Sequence, residues 1–244
     1  MKADRLPTGF LLDGRVRHAQ AADGHRTGIE PVLLAASVPA RAGDLVLEGG
    51  SGSGAGLLCL AARVSGVRGV GVERDASQAA LATANIVAND LGDTLRVDVA
   101  DLLEWRAAGP FDHAIANPPW HDGAGTASPD PAREAARRSH PGLFGAWLTA
   151  LARPLRHRGT LTLVVGVAAL PACLAGLDAA GCGSPAVLPL WPAAGQPAKL
   201  LLFRAVRGGR APFTLRPGLP LHDELGRFTA AAEAVLRNAA PLPL

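Results

Sequence analysis

Four consecutive residues, Asn117-Pro118-Pro119-Trp120, follow the run Phe111-Asp112-His113-Ala114-Ile115-Ala116 and are the part of the chain best suited to chemistry on a nitrogen. A proline forces the residue before it into extended backbone, so Asn117 and Pro118 are both kept out of the helical region, and the two prolines remove two N–H donors. Such a turn offers acceptors: the Asn117 side-chain oxygen and the Pro118 carbonyl, set to receive the two hydrogens of an NH2 group. A conjugated NH2 is a poor nucleophile because its lone pair is delocalised. Two acceptors can orient it so that the lone pair points at an electrophilic carbon, and no strong base is required because the substituted nitrogen becomes acidic. Trp120 would supply a flat face for a base taken out of its stack. In a chain with 20 prolines a Pro-Pro pair is cheap, so its weight comes from its place directly after a strand.

A second constellation lies earlier. Leu45-Val46-Leu47 runs into Glu48-Gly49-Gly50-Ser51-Gly52-Ser53-Gly54 and then into an Ala/Leu-rich stretch, a strand, glycine turn and helix that bring backbone close to a ligand. Gly50, Gly52 and Ala55 also satisfy the dinucleotide pattern G-x-G-x-x-A, so the glycines alone do not separate a nicotinamide cofactor from others. The acids discriminate better. Glu48 precedes the glycine triplet, where a carboxylate would repel a pyrophosphate but suits a cationic ligand such as a sulfonium with its ammonium group. Glu73 ends the next strand, 19 residues after Gly54, where it can accept both hydroxyls of a ribose. Asp101 follows the third strand and is placed to reach an adenine edge. The bland alternative is a structural glycine turn with surface acids, and it weighs more on Asp101 than on the two glutamates.

These residues need a scaffold, and the periodicity supplies one. From Ala42 onward, short β-branched runs alternate with stretches of helical length, the pattern of a mostly parallel, doubly wound α/β sheet. Strands are expected near 45–48, 69–73, 95–99, 111–116, 160–165, 186–190 and 199–206. Helices are expected near 29–38, 54–65, 76–91, 142–153, 168–180 and 228–237, with a further short helix starting at Asp130. The late, closely spaced strands point to an antiparallel edge on this seven-stranded sheet. One unit over 1–244 is expected, with 1–40 as an amino-terminal cap, 42–207 as the core and 208–244 as a packed extension rather than a domain.

The chain has 244 residues, 48% of them hydrophobic, enough for a full core. Its 24 Lys+Arg against 21 Asp+Glu give a net charge of only +3, which permits a nucleic-acid partner without requiring one. Cys59, Cys173 and Cys182 have neither C-x-x-C spacing nor a histidine cluster, so they read as buried thiols and no metal is expected. Met1-Lys2-Ala3-Asp4-Arg5 leads into no apolar secretory segment, which makes the cytoplasm the default location. Thr160 to Leu177 is almost wholly apolar, but Gly166 and Pro171 interrupt it and its first half is β-branched. It reads as a strand followed by a helix, and no membrane span is expected.

The motifs together resemble the class I S-adenosylmethionine-dependent methyltransferases that carry an N-P-P-aromatic turn and methylate adenine N6, guanine N2 or a glutamine amide. Over nearly its whole length the chain is similar to one branch, the bacterial valine-tRNA adenine-N6 methyltransferases. The supporting stretches include Gly14-Arg15-Val16-Arg17, residues 23–36, Asn117-Pro118-Pro119-Trp120-His121-Asp122, Ser128 to Arg133, Leu188-Pro189-Leu190-Trp191-Pro192, Ala211-Pro212-Phe213 and Leu221-His222-Asp223. The resemblance implies S-adenosylmethionine as cofactor, held by Glu48, Gly50, Gly52, Gly54, Glu73, Asp101 and Asn117, with Thr27 and Glu30 closing over its methionine end. It implies Asn117, Pro118, Pro119 and Trp120 as the catalytic turn and an adenine N6 near the anticodon of tRNA as target. The departures are Glu48 and Glu30 where Asp is usual, Gly49 in place of a bulky residue, and Trp120 in place of Tyr or Phe. They bear on substrate identity more than on reaction class.

Phosphate contacts are expected from Arg133, Arg137, Arg138, Arg207, Arg210 and Arg216, against the alternative of a solvated face. His25, His121 and His222 read as turn or packing histidines. Other functions compatible with the turn are glutamine-amide methylation of a protein, guanine-N2 methylation of ribosomal RNA, and non-catalytic binding of RNA or cofactor. The first of these usually has an amino-terminal helical domain, whereas about forty residues precede the first core strand here. A nicotinamide oxidoreductase has no use for Asn117-Pro118-Pro119.

Overall fold

The computed structural model describes residues 8–21, 27–118 and 141–244. A hairpin, β1 (Thr8–Leu11) and β2 (Val16–Ala19), leads to α1 (Glu30–Ser37). There follow β3 (Leu45–Gly49), α2 (Ala55–Arg63), β4 (Arg68–Glu73), α3 (Ala76–Ala88), β5 (Leu95–Val99) and β6 (Phe111–Ala116). The second half has α4 (Pro141–Ala152), β7 (Leu155–Gly166), α5 (Leu170–Ala175), β8 (Cys182–Ala193), β9 (Leu200–Arg207), β10 (Thr214–Leu215), β11 (Leu219–His222) and α6 (Ala230–Leu236).

The main sheet has the order β10-β8-β9-β7-β6-β3-β4-β5, with β11 also pairing β8. From β3 the chain winds outward through β4 to β5, then returns to β6 on the other side of β3. The strand order thus reverses between β3 and β6, and the carboxyl ends of strands at such a reversal are where open α/β sheets bind ligands. The register is specific: Gly49 is opposite both Val72 of β4 and Ala116 of β6, while Glu73 is opposite Val99 of β5. The glycine turn, Glu73, Asp101 and Asn117 therefore begin at one edge.

Alternation along the strands divides the interior in two. One face packs Val46, Ile115, Val164 and Leu202 under α1, α2 and α6; the other packs Leu47, Ala114, Leu163 and Phe203 under Phe144, Leu148 and Leu151 of α4. Two helices begin on side-chain caps. Asp75 accepts from the backbone of Ser77 (2.8 Å) and Gln78 (3.4 Å) before α3, and Thr229 accepts from Ala232 before α6.

The seven expected core strands are all present, and the antiparallel pairing falls toward the expected side of the sheet, where β9 lies between β7 and β8 and runs against both. The sheet has nine strands rather than seven, however, because β10 and β11 from the expected extension add themselves beside β8. They are two and four residues long and separated by Arg216-Pro217-Gly218, too short to show alternation. The helix expected over 168–180 is regular only over Leu170–Ala175, preceded by a 3-10 turn. The expected helix at Asp130 lies outside the described residues. Thr160 to Leu177 is strand, 3-10 turn and short helix, and no helix among the described residues is long and apolar enough to cross a membrane. All three cysteines are buried free thiols.

Candidate active site

The glycine turn is built by positive φ at Gly50 (64°), Gly52 (51°) and Gly54 (85°), a left-handed backbone that glycine adopts without the clash a Cβ would cause. Its N–H groups are already engaged. Gly50 and Ser51 donate to the Val72 carbonyl, Gly54 to that of Ser51, and Gly52 to a Glu73 carboxylate oxygen at 2.8 Å. Glu48, only 4% exposed, turns under the first turn of α2 and accepts from Leu57 N at 3.1 Å. A Cβ on Gly56 would collide with that carboxylate, so Gly56 is the residue that admits it. In a dinucleotide fold the helix N-terminus receives the pyrophosphate. Here a carboxyl side chain fills the position, which leaves no place for a diphosphate, and once ionised it suits a cation.

Burial pushes the Glu48 carboxyl up to about 8, opposed by the Leu57 N–H bond and reinforced by the charge of Glu73. Glu73 uses one oxygen for Gly52 and the other for Asp75 N at 2.8 Å, which leaves lone pairs on both for further donors. Asp101 shapes its own turn, accepting from Leu103 N at 2.9 Å, and Ala100 N bonds to the Glu73 carbonyl, so the two acids share one rim. Between them Val99 is 61% exposed, an apolar surface on the rim.

Asn117 is exposed and its amide has no hydrogen-bond partner among the described residues, whereas Pro118 behind it is buried. Pro119, Trp120 and His121 lie outside the described residues, as do His25, Arg133, Arg137 and Arg138. Arg63, near the end of α2, donates to the Ala35 and Val38 carbonyls at the end of α1, so α1 and α2 point the same way. Thr27 and Glu30 therefore stand at the glycine-turn end of the sheet. Thr27 N is held by Gln20 Oε1 at 2.8 Å, and Glu30 folds back over Gly28.

The tail arginines separate. Arg207 pairs with the first residue of β8 and donates to the Ala180 carbonyl, and Arg210 borders a groove with His157 and Arg158; both are at the end of the sheet opposite Asn117. Arg216 is exposed and its charge, with burial, lowers the pKa of the half-buried Arg204. His222 packs, its ring stacked on Phe228 at 4.8 Å and Nδ1 beside the Pro192 carbonyl.

Several residues at the site carry no motif. Trp147 of α4 lies on the glycine turn, close enough that a Cβ on Gly50 would come within 2.9 Å of its ring, and Leu151 and Leu102 occupy the space that Gly49 leaves open. His18, Ser53 and Asn85 meet on the outer side of the turn. The small residue at position 49 thus answers to bulky neighbours, which a single strand pattern does not reveal.

The family model of the methyltransferase small domain matches residues 30–166, more than half of the chain and all of the glycine turn, acids and Asn117. The chain belongs to the methyltransferase small-domain family. A tRNA1(Val) (adenine(37)-N6)-methyltransferase of Cronobacter sakazakii is 32% identical over 143 residues, 57% of this chain and 58% of that one. A relative of the same name from Dickeya chrysanthemi is 27% identical over 87% of both chains. The chain spans little more than half the length of several curated relatives it matches, at 58%, 52% and 59%. In fold it is similar to a crystal structure described as a predicted O-methyltransferase from Agrobacterium tumefaciens, with TM-score 0.73 at 22% identity over 88% of this chain and 99% of that one. Family membership makes S-adenosylmethionine the cofactor against which the site is tested, and the site fits it. The carboxylate at the α2 N-terminus suits its positive charge, the rim acids suit ribose and amine donors, and Val99 offers an apolar face.

Proposed function

We propose that this protein is an S-adenosylmethionine-dependent N-methyltransferase acting on adenine N6 in tRNA near the anticodon. The observation that carries the reading is the register that sets Asn117, exposed and without a side-chain partner among the described residues, directly beside the strand whose glycine turn and buried Glu48 suit a cationic cofactor. Bound S-adenosylmethionine would supply an electrophilic methyl group on a sulfonium. Glu48 balances its charge, Glu73 accepts from the ribose, Asp101 from the adenine edge, and Thr27 and Glu30 cover the methionine end. The Asn117 side-chain oxygen and the Pro118 carbonyl accept the two hydrogens of the target NH2 and hold its lone pair toward the methyl carbon. Trp120 stacks on the extruded base, and Pro119 keeps the turn extended. The names of the relatives support tRNA as substrate, and a tRNA substrate is in keeping with a cytoplasmic enzyme. The test is methyl transfer to purified tRNA with nucleoside identification: N6-methyladenosine is the expected product, and N2-methylguanosine or methylglutamine in protein would replace the reading.

Glu73→Ala removes a charge-assisted acceptor and also frees Gly52, and calorimetry should show cofactor affinity weakened by roughly 1.5–3 kcal/mol. Tight binding of NAD with none of S-adenosylmethionine by the wild type would overturn the assignment.

For the RNA, replacing Arg133, Arg137 and Arg138 together by Gln should weaken binding and reduce the slope of log affinity against log salt by ~0.7–0.9 for each phosphate that is no longer neutralised. Arg207 is committed to a backbone carbonyl at the far end of the sheet and should contribute less than Arg216. An unchanged slope in the triple variant would return those arginines to a solvated face.

A further inference from the structure

The hairpin β1–β2 is fastened to the rest of the protein by side chains that imitate a neighbouring strand. Asn85 of α3 and Asn89, the residue that caps its carboxyl end, each grip both backbone groups of a β2 residue. Asn89 takes Arg17 N (2.9 Å) and O (2.7 Å), while Asn85 takes Ala19 N (2.8 Å) and O (3.0 Å). An asparagine amide has the donor and acceptor of a peptide group, and Arg17 and Ala19, two apart, present N–H and C=O on the same edge. Asn85, 2% exposed, also donates to the Ser53 carbonyl at 3.0 Å, and His18, between the two gripped residues, is fully buried with Nε2 2.8 Å from Ser53 Oγ. Ser53 is thus held at both its carbonyl and its hydroxyl, between Gly52 and Gly54.

His18 Nδ1 is buried with no hydrogen-bond partner. A buried polar atom left unpaired is costly, and a leucine or phenylalanine would fill the same space without the penalty. Burial lowers the His18 pKa, so the ring is neutral, and the tautomer with Nε2–H donating to Ser53 Oγ leaves only a lone pair unsatisfied at Nδ1. Among the described residues, the hydrogen bond that the His18 ring makes is to the glycine turn.

We propose that the amino-terminal hairpin is the fixed outer wall of the cofactor turn, with His18 and Asn85 as positioning residues that set Ser53 and through it the backbone of Gly52–Gly54. The proposal rests on the reading of this turn as the cofactor site. Three glycines at positive φ make a flexible loop when unsupported, and the wall holds it in the shape that the ligand meets, so its contribution is to cofactor affinity and not to the chemical step.

The experiment compares wild type, His18→Ala, His18→Gln, Ser53→Ala and the His18→Ala/Ser53→Ala pair for calorimetric affinity toward S-adenosylmethionine, turnover at saturating cofactor, and melting temperature without cofactor. His18→Ala and Ser53→Ala should each weaken affinity about tenfold with turnover changed less than about threefold, and the pair should be no worse than either alone because both remove one interaction. His18→Gln, whose amide reaches the same hydroxyl, should lie within about threefold of wild type. Additive losses in the pair, no rescue by Gln, or a lowered melting temperature with unchanged affinity would overturn the proposal. Should His18→Ala not fold, the Gln and Ser53→Ala arms decide alone. Absence of cofactor binding in the wild type would instead overturn the cofactor reading itself.

Discussion

Asn117→Ala is expected to fold and to bind S-adenosylmethionine nearly as wild type does, while its turnover falls by on the order of 10²–10³, the loss produced by removing one preorganised polar group aimed at a reacting centre. The expectation follows from position. Asn117 is exposed at the end of β6 and its amide has no partner among the described residues, so truncating it strands no buried group among them. The loss should appear in the single-turnover rate and not in cofactor affinity. Asn117→Asp keeps the shape and the acceptor while adding a charge, and should retain more activity than Ala. An alanine variant that methylates as fast as wild type would make the Asn-Pro-Pro-Trp turn structural.

Glu48→Gln should separate stability from function. Burial first, then the charge of Glu73, raises the Glu48 carboxyl from 4.5 to about 8, so the folded protein holds a proton that the unfolded chain has released. The contribution to stability is fully present below about pH 4.5 and is lost as pH rises to about 8. The uncharged glutamine does not incur this loss. Without cofactor, the variant should therefore be more stable than wild type by on the order of 2–4 kcal/mol at pH 8, and close to it at pH 5, as read by denaturant titration. It should bind S-adenosylmethionine more weakly by roughly 1.5–3 kcal/mol, because the carboxylate that balances the cation is gone. The wild type should bind more tightly as pH rises from 6 to 8 and release protons on binding, measurable by calorimetry in two buffers. A Gln variant that is less stable at pH 8, or that binds as wild type does, would contradict this role.

The core strands and their order of appearance are legible in the sequence because each buried parallel strand is a short β-branched run between helical stretches. The carboxylate before the glycines and the position of Asn117 directly after β6 are legible because each follows a readable strand. The amino-terminal hairpin escapes this reading although it carries a signal. Leu12-Asp13-Gly14 turns with φ of 51°, 54° and 89°, and an Asp-Gly pair between two short runs is a hairpin mark. Its partners, Asn85 of α3 and Asn89 at that helix's carboxyl cap, look like ordinary polar residues until the fold brings them to β2, 66 and 72 positions away. Trp147 likewise reads as a core aromatic of α4, and only the tertiary approach to Gly50 places it on the glycine turn. The tail strands β10 and β11 are too short for a period to be read, and their pairing is set by the open edge of β8.

The most direct test of the central claim is to incubate the purified protein with unmodified tRNA and S-adenosylmethionine carrying a labelled methyl group, digest the RNA, and identify the labelled nucleoside by mass spectrometry. The account predicts label in N6-methyladenosine from wild type and a large loss with Asn117→Ala. Label in N2-methylguanosine, label in protein glutamine, or no transfer from a protein that binds the cofactor would contradict it.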